Sequence, residues 1–231
     1  MRRGDDGART AGHLVAACLL ALAARAQAMP EHAAGSAVIG ARAMTVRDAP
    51  ADSLRQLGTL GLELRAAFGP GEVPLGLAAG AGYQLGASLP GGFAYQLHLL
   101  PAGVAGFIDG VGWLALLGGG DVDGVTSRVP FAPRAVVEAR LELDVPGPFR
   151  LAGYGRPAWL AVDARQGGAR HFDFAHEVEF GVGLRIGAER RRHRADISRG
   201  LFIGGAYREW LGAVGYAVVV GYAVDAQLER R

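Results

Sequence analysis

Three observations predict an all-β fold for this chain, a closed antiparallel up-and-down transmembrane β-barrel of eight or ten strands. Apolar and polar residues alternate at period two in run after run, the period of a strand whose successive side chains point to opposite faces. Gly, at 37 of 231 residues, is about twice its usual share, and with so much Ala and Val beside it the chain cannot be mainly helical. The face opposite the apolar one holds Gly, Ala and a few opposed charges. That suits a cramped interior, unlike the Lys-, Thr- and Ser-rich face that a soluble sandwich turns to water.

The front end reads as a cleaved leader. Arg2, Arg3 and Arg9 precede the apolar run Leu14 to Ala24, and Ala26-Gln27-Ala28 fits a small-x-small cleavage site, so residues 1–28 are expected to be removed on export. The run is too short to span a bilayer comfortably as an anchor. Cys18, the only cysteine, lies inside it, so the mature chain is expected to hold no disulfide, thiol nucleophile or cysteine metal site. Four arginines and two aspartates leave with the leader. The remainder is balanced in charge, and every basic residue in it is Arg. No basic patch calls for nucleic acid.

Residues 29–56 are small, polar and weakly periodic, and read as a periplasmic lead-in in which residues 36–46 are a possible extra strand. The barrel is expected over residues 57–225, with a C-terminal tail at 226–231. Leu60, Leu62, Leu64, Ala66 and Phe68 open it on one face, against Thr59, Glu63 and Arg65. The run from Leu75 to Ala87 sets Leu75, Leu77, Tyr83 and Leu85 outward against Gly76, Gly80, Gly82 and Gly86. An inner face of Gly leaves space near a narrow axis or lets another wall approach closely. The glycines at every second position follow from the strand period and do not make a nucleotide-binding loop.

Phe93, Tyr95, Leu97 and Leu99 alternate with Ala94, Gln96, His98 and Leu100, and Val73 to Ile108 contains no charged residue. Pro74, Pro90 and Pro101 cut that stretch into strand lengths, which excludes a membrane helix. Residues 106–117 are expected to form a further strand with Val111, Trp113, Ala115 and Leu117 outward. Residues 118–133 read as a surface loop. Its Asp121 and Asp123 have some likeness to a calcium loop but lack the third ligand and the terminal Glu.

The clearest unit is the hairpin from Arg134 to Val162. Ala135, Val137, Ala139, Leu141 and Leu143 face one way, and Arg134, Glu138, Arg140, Glu142 and Asp144 the other. Val145-Pro146-Gly147-Pro148 turns the chain, and Arg156-Pro157 marks an expected bulge that shifts which of Trp159 and Leu160 faces out. Asp163 to Arg170 is a polar turn. Phe172, Phe174, His176, Val178, Phe180, Val182, Leu184 and Ile186 then oppose Glu177, Glu179 and Arg185. Ala188 to Arg194 is a basic, solvated turn. Ile197, Arg199, Leu201, Ile203 and Tyr207 follow at period two, and the last run sets Val214, Tyr216, Val218, Val220, Tyr222 and Val224 outward before Asp225 closes it.

Leader, strand-length runs of about 9 to 13 residues and aromatics near run ends (Phe68, Tyr83, Phe93, Phe149, Trp159, Phe172, Tyr207, Tyr222) together resemble a small bacterial outer-membrane β-barrel protein. The resemblance is one of class, carried by pattern and by no invariant motif. It implies export to the bacterial outer membrane, contact with outer-membrane lipid and handling by the outer-membrane assembly machinery, and it leaves the oligomeric state open. Proteins of the class commonly end on an aromatic residue, whereas six residues follow Asp225 here.

Inside such a barrel Glu138, Arg140, Glu142, Arg150, Arg156, Glu177, Glu179 and Arg185 are expected to form a lumen charge network that ties walls together. Buried charges are costly unless matched, which favours a lumen largely closed by Arg and Glu over an open ion-selective pore. The leading reading is a non-enzymatic barrel, structural or passing small solutes, with no catalytic, metal or cofactor site. A lipid-modifying enzyme is the alternative, with His171, His176 and Ser198 as candidates. Against it, His171 and His176 fall on opposite faces of one strand and no nucleophile motif surrounds Ser198, while His98 reads as an isolated wall residue. A secreted soluble barrel that binds an apolar ligand is the third reading, and it requires the apolar faces to point inward.

Overall fold

In the computed structural model the chain from His32 to Glu229 forms ten strands that close into one barrel, each hydrogen-bonded to its two neighbours, with β1 pairing β10. The structure describes residues 32–48, 53–69, 74–89, 91–108, 111–125, 129–166, 169–192, 195–210 and 213–229, all within the unit Glu31–Arg231. The expected leader with Cys18, its cleavage site and residues 230 and 231 lie outside the described residues.

The strands are β1 His32–Asp48, β2 Ser53–Gly69, β3 Leu75–Leu89, β4 Phe93–Ile108, β5 Gly112–Val125, β6 Val129–Val145, β7 Phe149–Gln166, β8 Ala169–Arg192, β9 Ala195–Trp210 and β10 Ala213–Glu229. All pairings are antiparallel. A closed sheet leaves no edge, so every strand satisfies its backbone within the protein. The ends of β1 and β10 lie together, since His32 pairs Glu229. This end, here the termini end, also carries the β2–β3, β4–β5, β6–β7 and β8–β9 turns. The other five turns lie at the far end.

Ten strands settle the choice between eight and ten, and the tenth is β1. Its outward residues Ala33, Gly35, Ala37, Ala41 and Ala43 are small, and so are several inward ones, so the lead-in showed no strong period although it is wall. The wall likewise runs past Asp225 to Glu229 and takes in most of residues 118–133 as the end of β5 and the start of β6. β7 and β8 extend through the expected polar turn as far as Gln166 and from Ala169, and β8 and β9 through the expected basic turn as far as Arg192 and from Ala195; residues 167–168 and 193–194 lie outside the described residues.

Two details of register correct the sequence expectation. The bulge is in β4, not β7: pairing slips by one residue between Leu99 and Ala102 against β5 and between Leu77 and Gly80 against β3. Pro101, which lacks an N–H for the ladder, sits in the slip. Pro101 and Ala102 are both exposed, so the inward set changes from Ala94, Gln96, His98 and Leu100 to Ala105 and Phe107. Around Pro157, by contrast, β6 pairs Val136 with Ala158 and Ala139 with Gly155 without a slipped residue, and β8 pairs Pro157 with Val178. Trp159 therefore keeps the outward parity of its strand.

The second correction concerns β5. Trp113, Ala115 and Leu117 are 0%, 3% and 1% exposed and point into the lumen, while Leu114 and Leu116 face out. Both faces of this segment are apolar, so alternation alone could not choose between them. The inward residues pack with Leu100, Ala105, Phe107, Val136 and Ala158 in an apolar cluster inside the barrel. The β6–β7 turn is as expected: Val145 pairs Phe149 around Pro146-Gly147-Pro148, and Gly147 takes φ +92°, a conformation glycine adopts without a Cβ penalty.

Candidate functional site

The lumen holds the site. Eight arginines (42, 65, 134, 140, 150, 156, 185 and 208) and seven acids (121, 123, 138, 142, 177, 179 and 225) are buried there among the described residues, and half-buried Glu63 brings the acids to the same number. Each lies at the inward parity of its strand, opposite the apolar stripe.

Glu138 on β6 is the centre of the middle layer. Arg65 reaches it from β2, across the lumen, with Nε and Nη2 each donating at 2.7 Å to Oε1 and Oε2. Arg156 on neighbouring β7 donates to Oε2 through Nε at 3.0 Å and Nη2 at 2.6 Å. One bidentate fork from Arg65 and a second guanidinium with two nitrogens on the shared Oε2 fix three strands in geometry as well as in charge. Glu63 Oε2 lies 3.4 Å from Arg65 Nη2 and 4.0 Å from Arg156 Nη2. His98 Nε2 is 3.2 Å from Arg65 Nη2, so this histidine belongs to the network.

Toward the termini end, Glu142 Oε1 accepts from Arg140 Nε at 2.7 Å and from Ser36 Oγ at 2.9 Å, the latter reaching from β1 on the opposite wall. Arg150 Nε lies 2.9 Å from Asp144, and Asp225 is 2.6 Å from Arg185 Nε and 3.8 Å from Arg150 Nη1. Toward the far end, Arg134 grips Glu177 through Nε at 2.6 Å and Nη2 at 3.2 Å and also bonds Asp123, which Arg208 of β9 joins from across the lumen. Glu179 Oε1 accepts from the Tyr154 hydroxyl at 2.6 Å and from Arg42 Nη1 at 3.3 Å. Gln96 Nε2 donates to Asp121 at 3.0 Å.

Inward glycines make room for these side chains. A Cβ on Gly80 would lie 2.6 Å from Arg65 Cδ, one on Gly82 2.5 Å from the His98 ring, one on Gly181 2.3 Å from the Tyr154 ring and one on Gly183 2.1 Å from Phe202. All are closer than a real Cβ stands, so the long side chains lie flat against bare backbone. Between the layers remains a cavity of about 70 Å³ bounded by Arg42, Glu63, Gln84, Arg140, Tyr154 and Phe202. A second, of about 40 Å³, lies beside it toward the far end.

All eight residues expected in the network are buried and ion-paired, but in three linked groups. Glu138, Arg156 and Arg140 meet at the centre, with Arg140 leading to Glu142, Arg150 and, through Asp225, Arg185, while Glu177 and Glu179 belong to the far group. Sequence reasoning missed Arg42 in the lead-in and Asp121 and Asp123, which are not a surface loop. It had placed Asp225 at the end of the wall and left Glu63, Arg65 and Arg208 out of the network. Their signal was parity: Asp121 and Asp123 share the odd-numbered face of β5 with Trp113, the face turned inward. Of the enzyme candidates, Ser198 is buried opposite Asp225 in the register. His171 pairs Ala164 and His176 pairs Trp159 in the β7–β8 ladder, and their side chains lie outside the described residues.

No protein-family model matches this chain, and no curated protein matches it. Among solved structures it is similar to the translocator domain of the autotransporter NalP from Neisseria meningitidis, at 13% identity and a TM-score of 0.43 over 94% of this chain and 97% of that one. The beta domain of the Bordetella autotransporter BrkA gives 14% and 0.41 over 87% and 100%, and Neisserial surface protein A 8% and 0.34 over 87% and 97%. The barrel itself is read from the ten-strand register above.

Proposed function

We propose that this is an exported barrel of the bacterial outer membrane, structural or passing small solutes, whose lumen is closed at mid-height by the Arg and acid network. The observation that carries this reading is an inverted distribution of polarity. Leu54, Leu60, Leu77, Leu97, Val182 and Tyr216 are 58% to 71% exposed, and such residues occur on every strand, while the buried interior holds the charges. Water-soluble proteins rarely expose a continuous apolar surface of this kind, and a lipid bilayer is the solvent that suits it. Strands of 14 to 24 residues exceed the roughly 9–11 a tilted membrane strand needs, so both rims would reach the aqueous sides. Stacked Phe93 and Tyr95 and the tilted Tyr207–Tyr216 pair supply interfacial aromatics near the far end.

The partners of this reading are outer-membrane lipid outside and the assembly machinery during insertion. A soluble barrel with an apolar ligand inside would need the opposite facing. Ser198 beside Asp225 in the ladder is the remaining basis for a lipid-modifying enzyme, and nothing described places a base on it. Expression in a Gram-negative host tests the reading: it expects the chain in the outer-membrane fraction with a heat-modifiable gel mobility. A soluble periplasmic product would overturn it, and altered lipid A masses on expression would favour the enzyme.

A further inference from the structure

The two lumen cavities are not independent. Both are bounded by Arg42 and Gln84, so these side chains form the partition between a central chamber and a smaller one that leads toward the far end past Asp123 and Arg208. Arg42 is 7% exposed, and its only described bond, to Glu179, uses Nη1; Nε and Nη2 have no hydrogen-bond partner. On the facing wall Arg140 spends Nε on Glu142 and reaches Glu138 only at 4.0 Å. Among the described residues, Glu63 is the one carboxylate that bounds the central chamber, against two guanidiniums. Buried donors without acceptors are costly, and arginine cannot escape the cost by losing its proton.

We infer that the central chamber is a binding site for a small inorganic anion such as chloride, held between Arg42 and Arg140 and reached from the far end past Arg42. A chamber of about 70 Å³ accommodates such an ion with a few waters. Gly40, Gly61, Gly183 and Gly204 of β1, β2, β8 and β9 bound it with bare backbone. The site rests on the lumen geometry and stands whether or not the barrel conducts.

The test is thermal unfolding of the refolded full chain in detergent at constant ionic strength, with chloride exchanged for gluconate, together with anomalous diffraction from crystals grown in sodium bromide. Chloride is expected to raise the midpoint saturably and gluconate to leave it unchanged, with a bromide peak between Arg42 and Arg140. Arg42→Gln should weaken the apparent chloride affinity at least tenfold. Ala152→Leu, which fills the chamber without altering a charge, should abolish the effect in a barrel that is still heat-modifiable, and it keeps the test open if Arg42→Gln does not fold. A midpoint that follows ionic strength whatever the anion, or a chamber that holds only water in the bromide crystals, would overturn the site.

Discussion

On the β6 to β8 wall the inward positions include Glu138, Arg140, Glu142, Arg150, Arg156, Glu177, Glu179 and Arg185, whereas on the β3 to β5 wall many are Gly and Ala with Leu100, Phe107, Trp113 and Leu117, and the polar residues Gln96, His98, Asp121 and Asp123 of β4 and β5 lie in its far half. Both walls alternate at the same period and present the same kind of apolar face outward. They solve the problem of a narrow interior differently. The charged wall meets Arg65, Ser36 and Asp225 of other strands across the lumen, each matched by an opposite charge or a hydrogen bond. The apolar wall fills its share with packed side chains, and opposite the arginines it falls back to bare glycine. The difference lies in how the lumen is filled, by paired charges that bond across it on one side and by packed apolar side chains on the other.

Breaking the charged wall at its centre should have the largest effect. Glu138→Ala leaves Arg65 and Arg156 buried without their shared carboxylate and should cost about 3–5 kcal/mol in urea unfolding from lipid vesicles. Arg140→Ala should likewise harm folding more than replacing Glu63, Arg65, Glu138 and Arg156 together by apolar residues of similar volume, because the joint change removes Glu63 along with its two arginine partners. The outward face can be broken at mid-strand: Leu60→Arg places a charge in the lipid belt and should cost about 2–4 kcal/mol in the same assay. If the outward face met water, that change would be nearly silent.

The contact between the two walls is sharpened by Gly82→Ala, whose new methyl meets the ring of His98 held beside Arg65. About 1–3 kcal/mol of overpacking is expected, visible as a lowered midpoint of the heat-modifiable mobility shift. The smallest effect belongs to Pro157→Ala. The ladder runs through Pro157 without a slipped residue, so its loss should change stability by no more than about 0.5 kcal/mol.

The same contrast explains what could be read from the chain beforehand. Where one face is charged and the other apolar, as in Arg134 to Asp144, alternation gives both the strand and its orientation. Where both faces are apolar, as in Trp113 to Leu117, it gives the strand alone, and the error in facing concealed Asp121 and Asp123 at the same parity. Where both faces are small, as in Ala33 to Ala43, it gives neither, and Arg42 was lost with the strand. The bulge at Pro101 and the regular passage through Pro157 show that a proline marks a place where the ladder loses a donor. Whether the register then slips depends on how the flanking strands pair, which is a property of the assembled sheet.

Conductance of the purified barrel in planar bilayers tests most directly the claim that opposed charges close the lumen. Wild-type insertions should carry no sustained open-pore current, and Glu138→Ala, which releases the cross-lumen tie from Arg65, should introduce step currents. A steady ohmic current from every wild-type insertion, unchanged by Glu138→Ala, would contradict it.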